Sequence, residues 1–434
     1  MCRFFKFAII LCMQYTKKKL KNGMRIITIP MKENPTTTVL VLVETGSKYE
    51  NKENNGISHF LEHMCFKGTS RRPSAFDITK ELDGIGAQYN AFTSHEYTGY
   101  YAKSDHKNLD IILDVVSDMY LNPIFPEKEI EKEKGVIIEE INMYRDLPQH
   151  IVGDEFMKLL YGNHPAGWDI VGTKENIQKI MRTDFIDYRS KHYVASATTV
   201  IVAGKINEKD VFKKVTSAFK DIGKWKKDEK EKVVETQKTP QVAVYYKDTD
   251  QTHLILGVRS FNTYNKYNTI LMVMNAVLSG GMSSRLFQKL RDEMGICYYV
   301  GANNDKYTDH GNFSVFAGVD SKRVKEAIST ILSEMNKLKI MLVKPEELNR
   351  AKQHLIGNLN LGLESSDSLA MYYGGQEVLK KDLKKPEEII KEIKSVTAEE
   401  IKFVVERIFK DEGLNLAIVG KFKDEKEFKD ILHF

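Results

Sequence analysis

The feature that most constrains this chain is a weak internal repeat. Tyr101-Ala102-Lys103-Ser104-Asp105 runs into a helical pattern, and so does Phe316-Ala317-Gly318-Val319-Asp320, about 215 residues later. Pro126-Glu127-Lys128-Glu129 opens a long helical pattern, as does Pro345-Glu346-Glu347-Leu348. Proline is tolerated there because the first helical turn has no partner for its N–H anyway. Self-similarity on this scale predicts an α+β chain of two structurally similar αβ domains, each a sheet with helices packed on one face.

The element patterns agree. In the first half, β-branched runs predict strands at 24–29, 38–43 and 198–203, with a strand pair near 87–92 and 97–103. Apolar periodicity predicts helices near 55–67, 74–83, 107–120, 127–146, 151–160 and 182–191. The pattern restarts after residue 240, with strands at 242–246, 253–258, 297–303, 312–318 and 415–419. Helices near 267–279, 283–293, 321–338, 345–363, 366–379, 386–394 and 397–409 complete it. Between the halves, Lys226-Lys227-Asp228-Glu229-Lys230-Glu231-Lys232 is a mixed-sign charge run, read as part of a solvated linker over 226–240. The expected domains are therefore 15–225 and 241–434.

Composition removes several function classes. The 65 basic residues face 60 acidic ones for a net charge of +5, a mixed surface without the basic footprint of a nucleic-acid binder. No stretch reaches transmembrane length. The four cysteines, Cys2, Cys12, Cys65 and Cys297, form no close pair, which argues for thiols in a reducing compartment and hence a cytoplasmic protein. Residues 1–14 carry a short apolar run with no small-residue cleavage site, read as a doubtful leader or an early start ahead of Met13.

The chemistry concentrates in His59-Phe60-Leu61-Glu62-His63. On a helix, positions four apart share a face, so both imidazoles can reach one ion. Glu62 lies on nearly the same face, where its carboxylate can take a proton from water beside the ion. Phe60, Leu61 and Met64 can anchor the other faces, while Cys65 points away. A buried helix with satisfied histidines is the plain alternative. Two histidines leave a zinc site incomplete, and the 127–146 helix offers Glu133, Glu139 and Glu140. Glu133 and Glu140 share a face, and Val136 and Ile137 on that side suggest that it turns toward the core.

Gly56 to Thr69, which contains this motif, resembles the signature of the pitrilysin superfamily of inverzincin metallopeptidases. That group includes insulin-degrading enzyme, mitochondrial processing peptidase and short bacterial processing proteases. Asn90-Ala91-Phe92-Thr93-Ser94 followed by Glu96 and Thr98, Val136 to Tyr144, Gly280 to Phe287, and Gly295-Ile296-Cys297-Tyr298 are similar as well. The resemblance implies that Glu140, 77 residues after His63, is the third zinc ligand and that Glu133 supports the site. It implies that Asn90, Ala91, Phe92 and Thr93 form a strand edge that pairs with extended peptide. It assigns to Arg291 and Tyr298, in the half without the metal motif, a role opposite the substrate carbonyl, where such donors stabilise an oxyanion.

The expectation is a zinc endopeptidase acting on peptides or unfolded segments, with one Zn2+ per chain and Glu62 as general base. As a clamshell half, it would pair with itself or with a related inactive subunit and close to bring Arg291 and Tyr298 to the metal. The rival expectation is a non-catalytic partner or structural subunit of a processing-peptidase-like complex.

Overall fold

The computed structural model describes residues 14–434, so the leader reading falls almost wholly outside it. The first half forms a six-stranded sheet from β1 (Thr16–Lys19), β2 (Arg25–Pro30), β3 (Thr36–Val43), β4 (Gln88–Thr93), β5 (Thr98–Asp105) and β6 (Thr198–Gly204). Their spatial order is β1-β2-β6-β3-β5-β4, which leaves β4 as an edge. The second half forms a five-stranded sheet from β7 (Gln241–Tyr246), β8 (Gln251–Ser260), β9 (Cys297–Lys306), β10 (Gly311–Asp320) and β11 (Asn415–Gly420), in the order β7-β11-β8-β10-β9.

The repeat is visible in this topology. Without β1, the first sheet reads β2-β6-β3-β5-β4, the order of the second sheet strand for strand. In each, one parallel pair, β2 with β6 or β11 with β7, adjoins antiparallel partners. The α+β architecture of two similar sheets packed with helices is thus the one the sequence predicts. Beyond the predicted elements the chain forms β1, helices Lys174–Lys179 and Glu208–Ala218, and a short terminal helix Lys426–Lys429. The predicted 283–293 helix is a π-helical segment at Phe287–Glu293.

Strand β3 explains how the halves are joined. Its Thr-Thr-Thr-Val-Leu-Val-Leu-Val run is buried from Thr37 onward, which requires cover on both faces. Val39, Val41 and Val43 pack with Phe60, Leu61 and the other helices of the first half. Leu40 and Leu42, on the opposite face, pack with Leu369, Ala370 and Tyr373 from helix Ser366–Leu379 of the second half. The second sheet receives the reciprocal loan: Ala417 and Val419 of β11 pack with Ile151, Val152 and Phe156 from helix Pro148–Tyr161 of the first half. Most helices therefore cover one face of each sheet, and a helix from the other half covers the second.

Buried charges reinforce the junction. Arg25 pairs with Glu44 and with Glu377 of the lent helix. Lys48 lies 2.5 Å from Asp309 and 3.3 Å from Glu96. Burial without a partner would be costly for any of these groups, so each sits where the other half supplies one. The charge run departs from its expected solvated character at two positions. Lys227 reaches Glu44 at 2.6 Å, and Lys230 bonds Glu96 and Thr308, so the segment is an extended strap held to buried carboxylates. Among the described residues no helix is long and apolar enough to cross a membrane.

Because each half completes the other's core, unfolding should be one cooperative event. Leu369→Ala, which empties a fully buried site against the first sheet, should cost about 2–5 kcal/mol. Urea titrations followed by circular dichroism and by tryptophan fluorescence should shift together. Separate transitions for the two signals would contradict this account.

Candidate metal centre

Helix Ile57–Met64 starts from Gly56, whose φ of +102° lies in the left-handed region that favours glycine. A Cβ at Gly56 would also stand 2.8 Å from the Val171 carbonyl. The helix buries Phe60, Leu61 and Met64 completely and turns His59, Glu62 and His63 toward a cleft of about 540 Å³. Helix Glu127–Asp146 lines this cleft through Glu140 and Tyr144. Its buried stripe runs through Ile130, Glu133, Ile137 and Ile141. Val136, expected on that side, is 52% exposed, because a step of about 100° from Ile137 takes it off the stripe. Glu139 points to solvent and accepts a bond from Asn142.

Three potential ligands converge. One ligand atom each from His59, His63 and Glu140 all lie within 4.8 Å of one another. The two Nε2 atoms are 3.2 Å apart, and Glu140 Oε2 stands 3.7 Å from His59 Nε2 and 3.8 Å from His63 Nε2. His63 Nδ1 donates to Glu133 Oε1 at 2.9 Å, and Lys67 Nζ holds the other Glu133 oxygen at 2.7 Å. A donor at Nδ1 leaves the Nε2 lone pair facing inward, the tautomer a metal requires. Burial, with His63 adding to it, pushes His59 down to about 3, so its ring is neutral at ordinary pH. Two imidazole Nε2 atoms and a carboxylate oxygen around one point fit a divalent cation, and N,N,O donors are a set that zinc accepts.

Glu62 lines the same cleft, and Thr93 Oγ1 donates to its Oε2 at 2.5 Å. Burial pushes the Glu62 carboxyl up, while the Thr93 bond pulls against it. At Glu133, burial acts upward too, but the bonds from His63 and Lys67 outweigh it and leave the group below its ordinary range. Asn90, Ala91, Phe92 and Thr93 belong to edge strand β4 and line the cleft beside His59, His63 and Glu140. The opposite wall includes His150, Asp154, Trp168 and Asp169, with Asp154 pushed up to about 7 by burial and then by the nearby Asp169 charge.

Arg291 and Tyr298 lie elsewhere. The Arg291 guanidinium stacks 5.6 Å above the Tyr298 ring, Tyr298 is 71% exposed, and neither lines the cleft. Other groups escaped the sequence reading. Lys67 stands four positions past His63, a spacing that could have suggested a contact on the same side. Asp154 and Asp169 come to the cleft through tertiary packing, and no local pattern announces them. His95 borders the cleft and bonds Ser47 Oγ at 2.9 Å. His192 is buried against Tyr49 and Tyr188, and His164 caps its short helix by accepting from Ala166 N.

Residues 25–174 match the model of the Insulinase (Peptidase family M16) domain, and residues 179–355 match that of the Peptidase M16 inactive domain. Across 408 residues the chain is 36% identical to the uncharacterized zinc protease YmxG of Bacillus subtilis, covering 92% of this chain and 97% of that protein. This chain belongs to peptidase family M16. An uncharacterized zinc protease of Rickettsia felis is 34% identical and covers 90% of this M16 chain and 94% of its own. The fold matches the crystal structure of a protease from Helicobacter pylori, with a TM-score of 0.87 and 24% identity over 94% of this chain and 99% of that one. A Pseudomonas fluorescens structure described as a peptidase M16 inactive domain gives a TM-score of 0.88 at 16% identity, over 95% and 99% of the two chains. The two family models thus match successive segments of the chain, the first carrying the histidine motif and the second without it.

Two measurements check this geometry. Glu133→Gln should weaken zinc binding by about 10–100-fold in chelator competition while the fold is retained; unchanged affinity would remove Glu133 from the site. Since the folded protein holds His59 down to about 3, the unfolded chain takes up that proton first. Stability of the metal-free protein should therefore fall as pH drops from the ordinary histidine range toward about 3. His59→Gln should flatten, without abolishing, that slope in urea titrations, since burial depresses His95 and His192 in the same way.

Proposed function

We propose that this chain is a zinc endopeptidase that hydrolyses peptides or unfolded segments. The observation that carries the reading is the convergence of His59, His63 and Glu140 with Glu62 beside them in one cleft. Zinc held by those three residues would supply Lewis acidity toward a carbonyl oxygen and make water more acidic. Glu62 takes the proton of the attacking water and delivers it to the leaving amine, as a general base and then a general acid. Thr93 orients the Glu62 carboxylate, and Glu133 fixes the His63 ring. The unpaired edge of β4 offers main-chain groups to an extended peptide, which favours backbone recognition over a strict side-chain sequence. The full set of His59, Glu62, His63, Glu133 and Glu140 speaks against a non-catalytic subunit.

Pairing between chains suits Arg291 and Tyr298 better than closure within one chain. Exchanged helices and buried ion pairs tie the two halves together, so swinging Arg291 and Tyr298 onto the cleft would expose both cores. A second copy, or a related inactive subunit, can instead present Arg291 and Tyr298 to this cleft, where a guanidinium and a phenol would stabilise the oxyanion.

Peptide cleavage by the zinc-loaded protein should vanish with a chelator and in Glu62→Gln, which should still bind one zinc. Cleavage that survives in Glu62→Gln would remove the base. Glu62→Gln and Arg291→Ala chains are each expected to be nearly inactive. Mixed in equal amounts and allowed to exchange, they should recover about a quarter of wild-type activity, because random pairing in a symmetric dimer creates one intact site in half of the dimers. No recovery, although exchange is demonstrated, would place both residues in the same chain's site or outside it.

A further inference from the structure

Glu50 stands just before the metal helix and takes no part in the chemistry described above. It is 5% exposed. Its Oε1 accepts the Ser58 N–H at 2.7 Å, and its Oε2 accepts the Gly56 N–H and the Asn55 side-chain amide, both at 2.9 Å. Gly56 is the N-cap of helix Ile57–Met64 and has no side chain with which to cap it. The Ser58 N–H, a first-turn donor that an N-cap side chain ordinarily satisfies, is met here by a carboxylate from upstream, which also takes the cap residue's own N–H. These three donors are neutral, and an ionised carboxylate is an expensive way to satisfy neutral donors in a core. The positive end of the helix macrodipole offsets part of that cost.

The backbone leading to Glu50 makes a second attachment. Ser47 N donates to the Ser94 carbonyl at 3.2 Å, and Lys48 N donates to the His95 carbonyl at 2.9 Å. Gly46 allows this approach, since a Cβ there would lie 2.0 Å from the Ser94 oxygen. Ser94 follows Thr93, whose hydroxyl holds Glu62. Residues 46–50 therefore grip the end of β4 at one point and the start of the metal helix at the other. A third tie leaves through Asn55, whose amide also donates to the Asp169 carbonyl at 3.0 Å, on the far wall of the cleft. This bracket ties the strand end next to Thr93, the helix that carries His59 and Glu62, and the cleft wall to one another.

We infer that Glu50 is a positioning residue: its carboxylate, bound to Asn55, Gly56 and Ser58, sets the metal helix against β4 and so fixes both the ligand geometry and the Thr93–Glu62 contact. The inference rests on the metallopeptidase reading. It assigns Glu50 an effect on the metal and on turnover beyond an effect on folding.

The test compares wild type, Glu50→Gln and Asn55→Ala as full-length chains, at a temperature where each is folded by circular dichroism. Zinc dissociation constants come from chelator competition, and kcat and KM from a cleaved peptide. Glutamine keeps one acceptor and turns an NH2 group toward an N–H donor, so Glu50→Gln should weaken zinc binding by about 10–100-fold and lower kcat with little change in KM. Asn55→Ala leaves both backbone bonds in place and should shift zinc affinity in the same direction by a smaller factor. Wild-type zinc affinity and kcat in a folded Glu50→Gln protein, with only a lower Tm, would overturn the inference and leave the metal site standing. If Glu50→Gln does not fold, unchanged zinc affinity in Asn55→Ala overturns it as well. A wild-type protein that binds no zinc would remove the metal reading and this inference together.

Discussion

Everything at the centre of this molecule depends on one short helix that must be buried on one side and chemically open on the other. Ile57–Met64 has just over two turns in which to do both. Phe60, Leu61 and Met64 lock it into the first core, and the spacing of His59, Glu62 and His63 then leaves those three side chains on the remaining face. So short a helix has little stability of its own, so its position must come from tertiary contacts. Helix Glu127–Asp146 braces it with Glu133 and Glu140, β4 with Thr93, and the 46–50 segment with Glu50. His63 Nδ1, both Glu133 oxygens and Glu62 are partnered before any ion is considered, while the buried His59 Nδ1 is not; the partnered groups supply part of the preorganisation that a metal site and a general base both need.

The same logic extends outward. β4 must be an edge to expose its backbone beside the site, and an open edge is a liability for pairing with the wrong partner. Here the edge lies in a cleft walled by the loop at Trp168 and Asp169 and by helix Pro148–Tyr161, which limits what can reach it. That helix is also the one lent to the second sheet, so the wall of the cleft is anchored in the opposite core. The junction of the halves is part of the site's scaffold, and the second half contributes rigidity to the first even though none of His59, His63 and Glu140 comes from it.

The sequence was informative where a local pattern carries the constraint. The i, i+3, i+4 set at His59, Glu62 and His63, the β-branched run of β3, and the long helix starting at Glu127 could each be read from local pattern alone. The repeat foretold two sheets, and their matching strand orders follow from it. What spacing could not reveal was long-range pairing. Ser366–Leu379 reads as an ordinary helix of the second half, and only the two-sided burial of β3 hints that it is needed elsewhere. Lys227 and Lys230 look like members of a solvated charge run until Glu44 and Glu96 are placed beside them. Of the glutamates on the 127–146 helix, family resemblance and not periodicity singled out Glu140, and the packing of Ile137 and Ile141 shows why it faces His59 and His63.

The most direct measurement of the central claim is a diffraction experiment at the zinc absorption edge on crystals of the zinc-loaded protein. The account predicts one strong anomalous peak per chain, about 2.0–2.1 Å from Nε2 of His59 and of His63 and about 2.0–2.2 Å from a Glu140 oxygen, with Glu133 bound to His63 and not to the metal. A peak ligated by Glu133 or Glu139 in place of Glu140, or no peak between the two histidines in protein that carries stoichiometric zinc, would contradict it.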